Sequence, residues 1–198
     1  MLVIGLTGKT GSGKSTVSSL LEKNGYLIID GDKIAREIVQ KETPGLKKLC
    51  EYFGEEILNP DKTLNRKLLA KKAFSDEEST KKLNEITHPF INEKIKEKIE
   101  FANKNGYEIC VIDAAALLES DCRNFCDVVA VVCCDEELSL KRIIERDKIS
   151  IENAKLRMNA QKDDEYYFKN ADIIIFNNEK NNIVEETKKL IDFAEGRK

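Results

Sequence analysis

The sequence lacks tryptophan, contains one histidine and three prolines, and has no long hydrophobic segment. Its longest apolar run extends from Val128 to Cys134, far short of the roughly 20 residues that cross a bilayer. The apolar run from Leu2 to Thr7 has no basic region before it and is too short for the core of a signal peptide. A net charge of −3 provides no basic excess for binding nucleic acid phosphates. We therefore expect a cytoplasmic globular protein without membrane or nucleic acid partners.

The scarcity of histidine also limits metal binding through nitrogen and sulfur ligands. Six cysteines are present, but no second cysteine pair complements Cys122 and Cys126 in a zinc set, and His88 is the one histidine. Cys110 and the neighbouring Cys133 and Cys134 lie in apolar runs, where a reduced cysteine behaves as a small hydrophobic residue. We expect all six cysteines to be free thiols in a reducing compartment.

Five short apolar segments indicate β-strands. They are hydrophobic along nearly their whole length, as strands buried on both faces of a parallel sheet are. Longer charged segments with helical periodicity separate them, which is typical of an α/β protein with a parallel sheet. The predicted strands are Leu2–Thr7, Tyr26–Asp30, Glu108–Asp113, Asp127–Cys133 and Asp172–Phe176.

Two intervals between the predicted strands are longer than a crossover helix requires. Residues 33–107 contain several helical patterns, the last of which begins at His88, and are predicted to form an inserted helical subdomain. Residues 136–170 contain two highly charged helical patterns, 137–150 and 151–170, and are predicted to form a lid. The predicted core then consists of residues 1–32, 108–135 and 171–198 of a single chain.

The segment Gly8–Ser15 matches the phosphate-binding motif G-x-x-x-x-G-K-S/T in full, behind an apolar strand and ahead of a helical pattern. Glycines in such a loop turn backbone N–H groups inward, and the following helix N-terminus attracts anions. Lys14 would contact the β- and γ-phosphates of ATP, and the Ser15 hydroxyl would bind Mg²⁺. A glycine-rich turn that merely joins strand and helix is the weaker alternative, because the complete motif occurs in its proper context. The loop residues predicted to bind ATP are Thr10, Gly11, Ser12, Gly13, Lys14, Ser15 and Thr16.

The loop alone does not distinguish kinases from ATPases and GTPases. The guanine-specific signatures N-K-x-D and D-x-x-G are missing from their expected places. Asp30 and Asp32 follow the second strand, at the sheet edge where ligands bind in open α/β folds. A carboxylate there could accept the proton of a hydroxyl that attacks the γ-phosphate, or help to hold Mg²⁺. An N-cap role for Asp32, ahead of the helical pattern from Lys33, is an equally good interpretation.

The sequence resembles the dephospho-coenzyme A kinase family, because matching segments follow one another along nearly the whole chain. They include the phosphate-binding loop, the run Asp30–Arg36, the Thr87–Pro89 tripeptide and the strand ending at Asp113. The resemblance implies a P-loop kinase three-layer fold with a parallel five-stranded sheet, a helical substrate-binding insert and a lid. It also implies phosphorylation of the ribose 3′-hydroxyl of dephospho-coenzyme A by ATP and Mg²⁺, giving coenzyme A and ADP.

Two other functions are compatible with the same residues. One is a kinase of this fold that acts on a nucleoside or nucleotide, and the other is a P-loop ATPase with a regulatory role. Either a monomer or a homo-oligomer is compatible with the sequence.

The family resemblance also implies roles for single residues. Asp32 corresponds to the residue regarded as the general base, and Lys14 and Arg142 to further catalytic groups. Arg142 and Arg146 open the lid and are expected to bind ATP, as is Asn177 after the last strand, while Arg157 and Gln161 close the lid. The residues expected to bind the acceptor are Asp32, Arg36, His88, Asp113 and Glu119.

Several of these residues have a structural interpretation as well. His88 could cap or pack the helix that starts at Pro89, and Arg142 and Arg146 could lie on a solvated helix face. The chain departs from the family pattern at Lys9, Thr10, Gly31, Ala115 and Glu179, and none of these changes removes a group that the chemistry requires.

Overall fold

A computed structural model describes residues 1–197, and Lys198, the last residue of the predicted core, lies outside them. The chain divides into two compact units. The first unit comprises Met1–Asp30 together with the chain from Ile99 onward, and the second comprises Gly31–Lys98.

A parallel five-stranded sheet forms the centre of the first unit, as predicted. Its strands lie in the order β2-β3-β1-β4-β5, and each begins and ends within one residue of its predicted bounds. The first strand is therefore the central one, and the chain proceeds from it toward opposite edges of the sheet, so ligands are expected at its carboxyl end. The strands are β1 (Leu2–Gly8), β2 (Leu27–Asp30), β3 (Ile109–Asp113), β4 (Val128–Cys133) and β5 (Ile173–Phe176).

The helices connect these strands and fill the second unit. In chain order they are α1 (Lys14–Lys23), α2 (Gly31–Glu37), α3 (Pro44–Phe53), α4 (Arg66–Ala73), α5 (Glu77–Lys104), α6 (Glu136–Asp147), α7 (Ile151–Asn159), α8 (Asp164–Lys169) and α9 (Ile183–Glu195). Short 3-10 helices occur at Glu55–Ile57 and Asp121–Phe125. No helix in the described part of the chain is both long enough and apolar enough to span a membrane.

The core of the first unit lies between the sheet and the helices α1 and α9. Ile4 and Leu6 of the central strand are almost fully buried against Leu21 of α1 and Leu190 of α9. Burial of such aliphatic side chains contributes roughly 1.5–3 kcal/mol each, so this cluster holds the loop after β1 on a rigid base.

The second unit is built from α2, α3, α4 and the first part of α5. The Thr43 hydroxyl accepts a hydrogen bond from the Leu46 amide at 3.3 Å and so caps α3, and Asn65 caps α4 through the Leu68 amide at 3.0 Å. Leu49 and Ile57 are completely buried inside this unit, and its helices therefore have a hydrophobic core of their own.

Two predicted helix boundaries are wrong. Helix α5 begins at Glu77, not at His88, because the Asp76 carboxylate caps it by accepting a hydrogen bond from the Ser79 amide at 2.7 Å. The helix then continues through Pro89, which removes only one backbone N–H donor from a long helix. His88 is thus an interior residue of the helix and does not cap it.

The second wrong boundary lies in the predicted lid, where residues 151–170 form two helices and not one. The Asp163 carboxylate accepts a hydrogen bond from the Tyr166 amide at 2.9 Å and starts a new helix, α8. The short connection between α7 and α8 contains Gln161, which consequently lies outside both helices.

All six cysteines are free thiols in the described part of the chain. Burial raises the pKa of Cys110 to about 11 and the pKa values of Cys126 and Cys133 to about 12. These three thiols therefore stay protonated at neutral pH, where only a thiolate is a good nucleophile, and they act as small core residues.

Candidate active site

The phosphate-binding loop connects β1 to α1, as predicted. Gly11 and Gly13 have φ angles of 81° and 90°, in the left-handed region that favours glycine. Gly13 directly precedes α1, and a Cβ atom built on it would lie 1.9 Å from the Asn177 Nδ2 atom. Glycine is therefore required at this position both for the backbone conformation and for the close approach of Asn177.

Lys14, the first residue of α1, forms an ion pair with Asp113 at the end of β3. The two side chains are mostly shielded from solvent, with relative exposures of 15% and 13%. Asp30 is the register partner of Asp113 on the adjacent strand β2, so the two carboxylates lie side by side at the carboxyl edge of the sheet. The loop lysine thus has a fixed acidic neighbour before any phosphate arrives.

Oxygen ligands for a cation are available next to this ion pair. The exposed Ser15 is the second residue of α1, and Asp30 and Asp113 supply carboxylates at the sheet edge. Within residues 1–197, no group of three or more histidine, cysteine, aspartate or glutamate side chains could hold a metal ion alone.

Arg142 and Asn177 hold the far side of the loop. The half-buried Arg142 guanidinium on α6 donates to the backbone oxygens of Gly11, Ser12 and Asn177 at 3.3, 3.4 and 3.3 Å. The Asn177 side chain, which is buried, donates to the Ser12 oxygen at 2.8 Å. Arg142 therefore does not lie on a solvated helix face in this structure, and it joins the loop to the segment after β5.

The predicted lid segment also contacts the loop. The Gln161 side-chain oxygen accepts a hydrogen bond from the Thr10 amide at 2.8 Å, and the Lys9 ammonium forms an ion pair with Asp164 at 2.9 Å. Lys9 and Thr10 are the two loop positions at which the sequence departs from the family pattern. Their contacts with Gln161 and Asp164 could not be foreseen, because the partners are more than 150 residues away along the chain.

Arg146 and Arg157 are directed to a common carboxylate and not to the loop. The Arg146 Nε and Nη2 atoms donate hydrogen bonds to the two Asp147 carboxylate oxygens at 2.8 and 3.0 Å. The Arg157 Nη1 atom donates to the same carboxylate at 2.5 Å. The hydrogen bond from Arg146 lowers the pKa of Asp147 from its ordinary value, with a further contribution from Arg157. The structure therefore separates Arg146, in a surface cluster, from Arg142, at the loop.

The loop after β3 contains Ala115 and Glu119. The Thr7 hydroxyl of β1 donates to the Ala115 oxygen at 3.1 Å, which fixes this segment beside the central strand. Glu119 is exposed. Burial is the main cause that raises the pKa of Tyr167 to about 12, and the negative charge of Glu119 is the next. Glu119 therefore lies near α8 of the predicted lid.

Asp32, Arg36 and His88 belong to the second unit. Asp32 is the second residue of α2, whose first residue is Gly31, and therefore lies inside the first turn. The N-cap interpretation of Asp32 is wrong, because the position that precedes the helix is occupied by Asp30. Arg36 is exposed on the same helix, and its backbone oxygen accepts a hydrogen bond from Arg66 NH2 at 3.4 Å. Arg66 was not predicted, because in the sequence it looks like an ordinary surface arginine.

The parallel sheet, the glycine loop after its central strand and the lysine that opens the next helix define a P-loop nucleotide-binding protein. The family model for dephospho-CoA kinase matches residues 2–183. The chain is 43% identical to the dephospho-CoA kinase of Corynebacterium glutamicum over 90% of its length and 89% of that protein. It is also 43% identical to the Listeria monocytogenes enzyme, covering 95% of this chain and 92% of that one.

A solved structure has the same fold. The dephospho-CoA kinase of Campylobacter jejuni matches with a TM-score of 0.70 and 32% identity, covering 99% of this chain and 98% of that one. The chain therefore belongs to the dephospho-CoA kinase family, as the resemblance implied, and it is an ATP-dependent kinase that phosphorylates dephospho-CoA in CoA biosynthesis.

Proposed function

We propose that Asp32 is the general base that accepts the proton of the ribose 3′-hydroxyl of dephospho-CoA as this hydroxyl attacks the γ-phosphate of ATP. The observation that carries the proposal is the place of Asp32 in the first turn of α2. Asp30 precedes α2, so Asp32 is not its N-cap, and the Asp32 carboxylate follows the carboxyl end of β2 by two residues. The products are CoA and ADP, with the proton held at an Asp32 carboxyl oxygen until it passes to solvent.

The loop would bind the phosphates of ATP. Within the loop residues from Thr10 to Thr16, the backbone N–H groups of Gly13, Lys14 and Ser15 and the N-terminus of α1 would attract the anion, since the Thr10, Ser12 and Thr16 amides donate to Gln161, Lys9 and Gly13. Lys14 would neutralise charge on the β- and γ-phosphates. Asp113 supports this role because its ion pair keeps the Lys14 ammonium at the mouth of the loop. Asn177 and Arg142 would fix the loop and border the adenosine, through their contacts with the Gly11, Ser12 and Asn177 oxygens.

Mg²⁺ fits the oxygen donors beside the loop. The Ser15 hydroxyl would hold the ion, with Asp113 and Asp30 as acidic neighbours and ATP phosphates as the remaining ligands. When bound, Mg²⁺ would neutralise negative charge that develops on the transferring phosphoryl group. The chain itself orients the ATP phosphates through Lys14 and the loop amides.

Further residues complete the proposed site. Arg36, His88 and Glu119 would contact the acceptor, and residues 136–170 would act as a lid that excludes water. Within this lid Arg142 would approach the nucleotide, while Arg146, expected from the sequence to do the same, is bonded to Asp147. The helical subdomain at about 33–107 would hold the substrate. The free thiols support a cytoplasmic location, because a reducing compartment maintains cysteines in this form.

The substitution Asp32→Asn tests the base. It keeps the size of the side chain and removes the proton acceptor, so kcat should fall by about 10²–10⁴-fold while the KM for ATP changes little. Asp30→Asn is the matched control at the neighbouring carboxylate and should cost less. Near-normal phosphoryl transfer by the Asp32→Asn protein, with ADP release coupled to CoA formation, would refute the assignment.

A further inference from the structure

Helix α9 carries a buried carboxylate that the proposed chemistry does not use. Glu186 lies in the first turn of this helix, and only 6% of the residue is exposed. Leu190 and Ala194 follow it at intervals of four residues on the same helix face, and both are completely buried in the core of the first unit. An aliphatic side chain would suit this face, whereas a buried carboxylate is costly unless it is paired. Glu186 therefore needs specific partners.

Two donors supply these partners. The backbone amide of Phe176, the last residue of β5, donates to the Glu186 Oε2 atom at 3.2 Å, and the exposed Lys189 ammonium donates to Oε1. The hydrogen bond from Lys189 is the main cause that lowers the pKa of Glu186 from its ordinary value, so the carboxylate is ionised at neutral pH. Because β5 is an edge strand, a helix side chain here provides an acceptor that a further strand would otherwise provide.

The amide that Glu186 binds belongs to the residue just before Asn177. The buried Asn177 side chain donates to the Ser12 backbone oxygen at 2.8 Å, and a Cβ atom built on Gly13 would lie 1.9 Å from its Nδ2 atom. Asn177 thus lies directly against the phosphate-binding loop. A planar peptide group joins it to Phe176, so a shift of one backbone unit moves the other. Contacts therefore connect Glu186 to the loop through Phe176 and Asn177.

We propose that Glu186 is a positioning residue for ATP. Its carboxylate holds the Phe176 amide, so that Asn177 keeps its side chain on the loop. The inference rests on the proposed binding of ATP phosphates at the loop. Because Glu186 acts through the backbone at the end of β5, it should affect ATP binding and leave the acceptor and the transfer step unchanged. A role in packing alone would instead change stability and affect both substrates alike.

Glu186→Leu tests this proposal. Leucine suits the buried helix face and removes the acceptor, and replacement of a buried ion pair by an apolar side chain often costs little stability. The melting temperature should therefore stay within a few degrees of wild type. The Kd for ATP, measured by calorimetry without acceptor, should rise by about 10-fold, as should the KM for ATP. The kcat and the KM for dephospho-CoA should change less than about twofold. Glu186→Met, which also lacks a strong acceptor, replaces the leucine variant if that protein does not fold.

Three further variants separate the amide bond from the charge. Glu186→Gln keeps an oxygen that can accept from the Phe176 amide, so its Kd for ATP should stay within about threefold of wild type. Lys189→Ala removes the ion pair and leaves the amide bond. Glu185→Leu is the matched control at the exposed preceding residue. The last two should change the Kd for ATP less than about twofold.

Two results would overturn the positioning role. One is an unchanged Kd for ATP in Glu186→Leu, and the other is a parallel rise of both KM values together with a lower melting temperature. An effect of Lys189→Ala as large as that of Glu186→Leu would assign the effect to the ion pair and would also contradict the proposal.

A double-mutant cycle with Asn177→Ala tests the route to the loop. If Glu186 acts through Asn177, adding Glu186→Leu to Asn177→Ala should change the Kd for ATP less than about twofold. Fully additive effects would exclude this route. Loss of ATP binding in Lys14→Ala with unchanged binding in Glu186→Leu would refute the positioning role and leave the loop assignment intact. Normal ATP binding by both variants would refute the loop assignment as well.

Discussion

The two units of the molecule present their ligand-binding groups in different states. In the first unit, the groups that would meet ATP already have partners: Lys14 has Asp113, Arg142 has three backbone oxygens, and the Thr10 amide has Gln161. In the second unit, an apolar pocket is open and two exposed arginines stand beside it. The loop of the first unit is therefore held by polar contacts within the protein, whereas the second unit has an open apolar pocket.

This difference predicts unequal responses to substitution. Polar contacts around the loop have fixed geometry, so breaking one should affect turnover or nucleotide binding strongly. Apolar contacts are spread over many side chains, so removing one side chain from the pocket wall should have a smaller effect than removing a charged side chain at the loop. Substitutions in the first unit show which polar contacts hold the loop in place, and their expected effects decrease from Lys14 to Lys9.

Lys14→Ala should have the largest effect. It removes the cation predicted to contact the β- and γ-phosphates and leaves Asp113 without its ion-pair partner, so kcat should fall by about 10²–10³-fold or more. Steady-state ADP release with dephospho-CoA measures the loss. Lys9→Ala, which removes the other lysine of the same loop, is the control and should retain most activity. Retention of activity by the Lys14→Ala protein would contradict the assignment of the loop.

The sequence predicts Lys14 at the end of the phosphate-binding loop, and the structure has it there for a physical reason. The phosphate-binding loop acts through its own backbone, so the required glycines, lysine and serine are contiguous and visible in the sequence. The five strands were likewise predicted within one residue, because burial on both faces leaves an unbroken apolar run.

Features that are assembled from residues far apart in the chain could not be predicted from the sequence. The pocket near Ala35 and Ile91 is assembled from short pieces of four elements, each of which has an ordinary amphipathic pattern. The contacts of Lys9 and Arg142 depend on partners far away in the chain. The start of α5 differs from the prediction for a local reason, since Asp76 caps the helix well before Pro89, a residue that favours the first turn of a helix.

Gly13→Ala should have the next largest effect. The residue has a φ of 90°, and the added Cβ would collide with Asn177 Nδ2, at 1.9 Å. Gly25→Ala is the control, because Gly25 has a φ of 89° and nothing within 4 Å of the added atom.

Both substitutions should cost about 1–2 kcal/mol of unfolding free energy from backbone strain, and Gly13→Ala about 1–3 kcal/mol more from the collision. Urea unfolding of the two variants measures the difference. Equal destabilisation would show that Asn177 moves away freely and that the packing around Gly13 is not rigid.

Arg142→Ala should have an intermediate effect. The change removes donors to the Gly11, Ser12 and Asn177 oxygens, so the Asn177 side-chain bond to the Ser12 oxygen is left to join the loop to the segment after β5. Hydrogen bonds from a charged group contribute about 1.5–3 kcal/mol, and we expect the KM for ATP to rise by about 10-fold or more. Arg146→Ala removes an exposed ion pair with Asp147 and should change this KM much less. A larger effect at Arg146 would reverse the assignment of the two arginines.

The smallest expected effect concerns the ion pair between Lys9 and Asp164, which joins the loop to α8. The pair is partly exposed, with relative side-chain exposures of 30% and 61%, so its coupling energy should not exceed about 1 kcal/mol. A double-mutant cycle of Lys9→Ala and Asp164→Ala, read from the KM for ATP, should give a coupling below about fivefold that shrinks as salt is added. Glu165→Ala, at an exposed acidic neighbour in the same turn, should show no coupling to Lys9.

Additive effects of Lys9 and Asp164 at low salt would mean that this contact does not help to hold the predicted lid on the loop. The bond between Gln161 and the Thr10 amide would then be the contact to test next, because its donor belongs to the loop backbone and cannot be lost by a side-chain change at residue 10.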